Sequence, residues 1–374
     1  MSAYVPVALA HDYLTQRGGA ERVAAIMAEA FPGAPLHTTL YEPDGTFDDF
    51  RGLTIKTSIL NRVPPFRHDH RIALPFYAPV VSGLTVDADV LLASSSGWAH
   101  GIACTGHKVV YCHAPARWLY QTDRYLGADD GGLGARARRA AMRASLIALA
   151  PPLRVWDQKQ ARSADRYLVN SSVIQQMVQD VYGIDAEVLA PPPALEVVGE
   201  LEPVEAIEQP FVLCVARLLP YKNVDAVISA VRRIDGLSLA VVGRGPDHDR
   251  LRDLVGADPS IHLLGSVSEE TLRWLYSNTI GLVAASYEDF GLTPLEAASF
   301  GKPTAAFHAG GYLDTVAPDV NGLFFEEPNA PLVRTAIADL IDRAWNEDAI
   351  TSHADAFGKE RFCARLHDVV GGVG

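Results

Sequence analysis

Residues Val5 to Met27 read VPVALAHDYLTQRGGAERVAAIM. The apolar run Val5–Ala10 breaks at His11-Asp12, as a strand buried on both faces does where it enters a polar loop. Gly18-Gly19 follows, and Ala20-Glu21-Arg22-Val23-Ala24-Ala25-Ile26-Met27 has helical spacing. Strand, glycine loop and helix in this order open a doubly wound α/β sheet.

The same alternation continues outward. Val90–Ala93, Val109–Cys112 and Tyr167–Val169 read as strands, with helical stretches between them, one near Arg136–Leu149. A parallel sheet covered on both faces follows from this order. Pro191-Pro192-Pro193 interrupts it, and from there to Gln209-Pro210 the chain is rich in Pro and Glu and weakly periodic. Proline runs remove backbone donors, so this stretch is expected to be an interdomain linker. The pattern then restarts with strands at Phe211–Val215, Ser238–Val242, Ile261–Leu264, Gly281–Ala284 and Thr304–Phe307. Helices are expected at Asn223–Ile234, Pro294–Phe300 and Pro331–Trp345, and Ser352–Val370 reads as one amphipathic helix. Two Rossmann-like, doubly wound domains in series would face a cleft with the carboxyl ends of their strands, where open α/β sheets bind ligands.

Composition agrees with two folded domains. The chain has 374 residues, 48% hydrophobic and 21% charged, which excludes general disorder. A net charge of −13 argues against a nucleic-acid binder. Cys104, Cys112, Cys214 and Cys363 lack a metal-ligand spacing and read as reduced thiols. His68 and His70 are two apart without further ligands nearby, so no metal site is expected there. The opening residues lack a secretory pattern, and no run of about 20 apolar residues occurs, so a cytoplasmic protein is expected.

Four segments carry chemistry. The first is Ala285-Ser286-Tyr287-Glu288-Asp289-Phe290-Gly291-Leu292-Thr293-Pro294-Leu295-Glu296-Ala297, leading a buried strand into a helix. Gly291 lets backbone approach a ligand, the helix start offers N–H donors, and the carboxylates suit hydroxyl-bearing partners. The second is Arg217-Leu218-Leu219-Pro220-Tyr221-Lys222, where a guanidinium and an ammonium at a strand end can hold a diphosphate. The third is Gly18-Gly19, whose backbone donors have no Cβ in the way, although the G-x-G-x-x-G dinucleotide spacing is absent. The fourth is Val110-Tyr111-Cys112-His113-Ala114-Pro115-Ala116-Arg117-Trp118, with His113 one residue beyond an apolar strand. Taken singly, each has a plain reading: surface acids, solvated cations, a tight turn, a structural histidine.

Together they resemble retaining glycosyltransferases of family 4. The resemblance implies the GT-B fold: residues 1–192 as the acceptor-side domain, 193–350 as the nucleotide-sugar donor domain, and 351–374 as a C-terminal helix packing back toward the first. It implies that Glu288 contacts the transferred sugar and Glu296 the ribose hydroxyls, with Phe290, Gly291 and Leu292 between them. Arg217 and Lys222 match the family's diphosphate-binding pair, Gly18 and Gly19 its loop over the phosphates, and His113 its histidine near the anomeric carbon. Gly243, in Gly243-Arg244-Gly245-Pro246, matches a turn near the nucleotide, and Gly265 with Ser266 matches the loop whose backbone reads the base. Ser171 either lines the cleft or caps a helix.

The implied reaction transfers a sugar from a nucleoside diphosphate donor to a carbohydrate or lipid-linked acceptor, with retention and without a metal or other cofactor. Pro115, Arg117 and Trp118 resemble a subgroup rich in mannosyltransferases of bacterial polysaccharide precursors, which makes GDP-mannose the first expected donor and UDP-sugars the second. The rival readings are a sugar-nucleotide epimerase of the same architecture and a non-catalytic nucleotide-sugar-binding subunit. Arg136, Arg138, Arg139, Arg143 and Arg154 around Leu146–Leu149 read either as a peripheral contact with anionic membrane on its inner face or as a solvated helix on the sheet.

Overall fold

A computed structural model of the chain describes residues 6–121 and 150–373. The expected helix near Arg136–Leu149, with Arg136, Arg138, Arg139 and Arg143, lies outside the described residues. The chain divides into two compact units, Met1–Pro191 with Phe362–Gly374, and Pro192–Arg361.

The first unit is built on strands β1 (Val7–His11), β2 (Leu36–Thr38), β3 (Ile55–Thr57), β4 (Thr85–Val86), β5 (Val90–Ser95), β6 (Ala103–Cys104), β7 (His107–Cys112), β8 (Arg166–Val169) and β9 (Glu187–Val188). Seven form a parallel sheet in the order β3-β2-β1-β5-β7-β8-β9, while β4 pairs with β6 alone. The order reverses between β1 and β5, where Leu9 faces Leu92. Successive side chains of a strand point to opposite faces. Ala8 and Ala10 therefore join Leu91, Ala93, Tyr77 and Trp98 on one side, and Leu9 joins Leu92, Ile26 and Met27 on the other. Phe362, Leu366, Val369 and Val370, from the helix Lys359–Gly371, complete that second face. Burying a side chain such as Phe362 or Leu366 is worth about 1.5–3 kcal/mol.

The second unit carries β10 (Phe211–Val215), β11 (Ser238–Val242), β12 (Ile261–Gly265), β13 (Gly281–Ala284), β14 (Thr304–Phe307) and β15 (Gly322–Phe325). They form a parallel sheet in the order β12-β11-β10-β13-β14-β15, reversing between β10 and β13. Val212, Cys214, Val241 and Val283 pack under one layer with Val227, Ile228 and Ile337. Phe211, Leu213, Ala240 and Leu282 pack under the other with Leu275, Tyr276 and Tyr312. Both sheets have the strand order of a doubly wound, ligand-binding fold.

Three expectations change. The residues after Pro191 do not run free as a linker: Leu195 and Ile207 are buried in the second unit's core, and Arg273 holds the Glu196 carbonyl with Nε at 3.0 Å. Ser352–Val370 is not one helix. A helix at Glu347–Asp355 buries Ile350 and Ala354 against Ala298 in the second unit, and only Lys359–Gly371 packs on the first. Strands β2, β3, β4, β6, β9 and β15 are additional to those expected from the sequence. Among the described residues, no helix is long and apolar enough to cross a membrane, and all four cysteines are free.

Candidate functional site

In the second unit the loops at the carboxyl ends of β10 and β13 flank the point where the strand order reverses. After β10 the chain makes a short turn of 3-10 helix, Pro220–Lys222, and Asn223, with φ of 55°, opens the helix Val224–Val231. Asn223 donates from Nδ2 to the Ala285 carbonyl at 2.9 Å, fastening this turn to the loop after β13. Lys222 is 8% exposed, and its Nζ donates to Oε1 of Glu288. Ser286 Oγ donates to the same oxygen at 2.6 Å and lies 3.1 Å from the Tyr312 hydroxyl. Burial holds the Tyr312 proton well beyond the usual phenol range. Lys222 and Glu288, apart by 66 positions in sequence, thus meet. Arg217 lies on the same turn, exposed, and makes no ion pair among the described residues.

The loop carrying Glu288 is shaped by glycine. Gly291 has φ of 92° and opens the helix Leu292–Ser299, and a Cβ there would stand 2.5 Å from the Tyr312 ring. A Cβ on Gly311 would stand 2.3 Å from Phe290 Cα, and Gly311 N–H donates to the Glu288 carbonyl at 2.8 Å. Phe290 is buried, its ring centroid 6.5 Å from that of Phe357. One turn into the helix, Glu296 accepts from the buried Tyr276 hydroxyl at 2.9 Å. Leu292 is half-buried at the helix start.

Two further turns join this edge. Gly243 has φ of 141°, and a Cβ would meet the Ala216 carbonyl oxygen at 1.9 Å, so the turns after β10 and β11 touch through backbone. Gly243 N–H donates to the Gly265 carbonyl at 2.8 Å, bringing in the end of β12, where Ser266 is exposed. The structure therefore gathers Arg217, Lys222, Gly243, Gly265, Ser266, Glu288, Phe290, Gly291, Leu292 and Glu296 on the carboxyl edge of one sheet.

In the first unit, Gly18 precedes and Gly19 begins the helix Gly19–Ala30, after β1. A Cβ on Gly18 would lie 2.6 Å from Glu21 Oε2. His113 follows β7, 7% exposed, with Nε2 2.8 Å from Ser94 Oγ. Burial pushes its pKa down to about 3, helped by His11 and Arg117, so the ring is neutral near pH 7. Asn170 holds the His113 carbonyl from Nδ2 at 3.0 Å. Ser171 accepts from Ile174 N–H at 3.2 Å and is the cap of the helix Ser172–Tyr182. Arg154, the described member of the basic stretch, donates to the Leu119 carbonyl at 2.9 Å. The sequence singled out His113 but not its neighbours His11 and Ser94, which only the sheet order brings beside it. Among the described residues, no three His, Cys, Asp or Glu side chains converge as metal ligands.

Comparison with known proteins finds similarity over part of the chain. Residues 200–359 match the family model for glycosyl transferases group 1. The GDP-mannose-dependent alpha-(1-6)-phosphatidylinositol monomannoside mannosyltransferase of Mycobacterium tuberculosis is 31% identical over 179 residues, 43% of this chain and 46% of the relative. The D-inositol 3-phosphate glycosyltransferase of Mycolicibacterium smegmatis is 29% identical over 227 residues, 55% of this chain and 51% of the relative. The chain thus spans about half the length of these curated relatives. Sucrose-phosphate synthase from Thermosynechococcus elongatus superposes with a TM-score of 0.69 at 18% identity over 98% of both chains. HepE of Anabaena in complex with UDP and glucose gives 0.67 at 17% identity, over 98% of this chain and 99% of that one. The fold is GT-B, and residues 200–359 carry the group 1 glycosyltransferase pattern.

Proposed function

We propose that this chain is a retaining, metal-independent glycosyltransferase that moves a sugar from a nucleoside diphosphate donor to a carbohydrate or lipid-linked saccharide acceptor in surface polysaccharide biosynthesis. The observation that carries the reading is the Lys222–Glu288 contact, inside the segment that matches the family. It puts an ammonium and a carboxylate side by side at a strand-order reversal, one suited to a diphosphate and the other to a sugar hydroxyl. Glu296 is assigned the ribose hydroxyls, Gly243 a turn near the nucleotide, Gly265 and Ser266 the backbone that reads the base, and Phe290, Gly291 and Leu292 the close backbone approach. Gly18, Gly19 and His113 of the first unit are assigned the donor phosphates and sugar.

In this reading the bond from the anomeric carbon to the diphosphate breaks, and the diphosphate leaves with the electron pair. The acceptor oxygen attacks on the same face and gives its proton to the leaving phosphate oxygen. Arg217 and Lys222 offset the charge that grows on the diphosphate, which is the task a metal would otherwise perform. Lys222 changes partner on donor binding, from Glu288 to phosphate, and so releases Glu288 to the sugar.

GDP-mannose is the first donor to test, since the Mycobacterium tuberculosis relative is named for it, and UDP-sugars are second, since HepE was solved with UDP. A location on the inner face of the cytoplasmic membrane is part of the proposal. Supporting it, Ile59 is 64%, Ile72 53% and Phe76 48% exposed, with Lys56 and Arg62 exposed nearby in sequence.

The test is incubation of the purified chain with radiolabelled GDP-mannose, then UDP-sugars, and a lipid-linked saccharide acceptor. Labelled acceptor with the donor's anomeric configuration is expected, in chelator as well as without. Epimerised donor, or binding without turnover, would replace the reading with an epimerase or a binding subunit. Thermal shifts with GDP and UDP identify the base, because a ligand bound only by the folded form raises its melting point.

A further inference from the structure

The carboxyl ends of β1, β5 and β7 carry a row of buried polar side chains of which the proposed reaction uses only His113. Ser94 Oγ lies 2.8 Å from His113 Nε2 and 2.9 Å from His11 Nδ1. The other nitrogen of His11, Nε2, lies 3.8 Å from Glu21 Oε1, which also accepts from Gln16 Nε2 at 2.9 Å. His11, Ser94, Glu21 and His113 are 2%, 1%, 2% and 7% exposed, so the row is shielded from bulk water.

A hydroxyl has one proton, so Ser94 donates to one imidazole and accepts from the other. Where each ring carries a single proton, two arrangements exist. In the first, His113 Nε2–H donates to Ser94, Ser94 donates to His11 Nδ1, and His11 carries its proton on Nε2, toward Glu21. In the second every donor and acceptor is exchanged, and His11 turns a lone pair toward Glu21. Burial pushes the Glu21 carboxyl up, but the contacts with His11 and Gln16 outweigh it and hold it below its ordinary value, so it is ionised at neutral pH. At 3.8 Å the His11 contact is too long for a hydrogen bond, yet its sign decides the matter. An N–H facing a buried carboxylate is attracted and a lone pair is repelled, and low local dielectric enlarges the difference.

We propose that Glu21, His11 and Ser94 are positioning residues that fix His113 as its Nε2–H tautomer, so that Nδ1 meets a hydroxyl of the donor sugar as a hydrogen-bond acceptor. The second half rests on the reading that His113 faces the donor sugar. The arrangement selects a sugar with a hydroxyl proton to give, because the corresponding deoxy sugar leaves Nδ1 unpaired. It also explains Gly18 beyond loop flexibility. A Cβ there would stand 2.6 Å from Glu21 Oε2 and displace the carboxylate that orients the row.

The test reads the His113 tautomer by long-range nitrogen–proton NMR on protein labelled at histidine nitrogen, at about pH 8, where exposed rings are also neutral. His113→Gln assigns the signal. A proton on Nε2 is expected in the native chain, and a mixture of tautomers in Glu21→Gln and Ser94→Ala. A proton on Nδ1 in the native chain, or a tautomer unchanged in both variants, overturns the proposal. The native measurement decides alone if a variant does not fold. In the transfer assay Glu21→Gln should lower kcat/KM roughly tenfold to a hundredfold. Absence of transfer with the proton on Nε2 overturns the donor reading and leaves the tautomer assignment standing. Transfer with the proton on Nδ1 does the reverse.

Discussion

The ammonium of Lys222 donates to the carboxylate of Glu288 and ties the turn after β10 to the loop after β13. The two ends of this contact differ in burial, the Lys222 side chain being 9% exposed and that of Glu288 31%. A charge left without its partner costs more where water cannot reach it. Glu288→Ala should therefore lower the melting temperature more than Lys222→Ala, the larger loss being about 1.5–3 kcal/mol. Both variants should lose transfer by about 10²–10³ fold while remaining folded by circular dichroism. Full activity in either variant would remove the site assignment.

His113 gives a pH prediction of stability. Its folded value is about 3, against 6.5 for an ordinary histidine. Between those values the unfolded chain binds the proton and the folded chain does not, so stability falls as pH drops from about 6.5 toward 3. One such proton contributes up to about 1.4 kcal/mol per pH unit. His113→Gln should flatten the acid side of a plot of urea midpoint against pH. An unchanged slope would show that His113 is protonated in the folded chain.

Gly311 and Gly52 form a matched pair. A Cβ on Gly311 would stand 2.3 Å from Phe290 Cα, whereas Gly52 has nothing within 4 Å. Gly311→Ala should cost about 1–3 kcal/mol and raise the donor KM by displacing the loop of Glu288. Gly52→Ala should stay within about 0.5 kcal/mol of the parent in melting and leave kinetics alone. Equal behaviour of the two would mean that the loop does not need its packing against Gly311.

The membrane contact can be weighed on vesicles. Sedimentation with phosphatidylglycerol vesicles at low salt, lost with phosphatidylcholine and reduced at moderate salt, is expected if Lys56 and Arg62 face anionic lipid. Ile59→Ser with Phe76→Ser should abolish pelleting and leave melting unchanged, since both side chains are exposed. No lipid-dependent pelleting of the native chain ends the membrane proposal.

The central strands were legible because a strand buried on both faces is a continuous apolar run. Phe211–Val215, Ser238–Val242, Gly281–Ala284 and Thr304–Phe307 were read with the bounds they have. β2 and β3 were not, because Leu36-His37-Thr38 and Ile55-Lys56-Thr57 are three residues each, mixed in polarity and toward the sheet edge. The Ser352–Val370 helix was overextended because apolar spacing alone does not register the break around Ala356–Gly358. Within the candidate site, motif residues were visible from local order. The Ser94 bridge was not, because its partners His11 and His113 lie 83 and 19 positions away and meet only through the pairing of β1, β5 and β7.

The helix Lys359–Gly371 sets an order of assembly. Phe362, Leu366 and Val369 finish the core that Leu9 and Met27 begin, yet they are translated after the whole of Pro192–Arg361. On the ribosome the later unit has its entire sequence available while the earlier one still exposes an apolar face. Chains truncated before Phe362 would thus hold a complete second unit and an unsealed first one, and β1 in them would be cut by protease more readily than in the full chain.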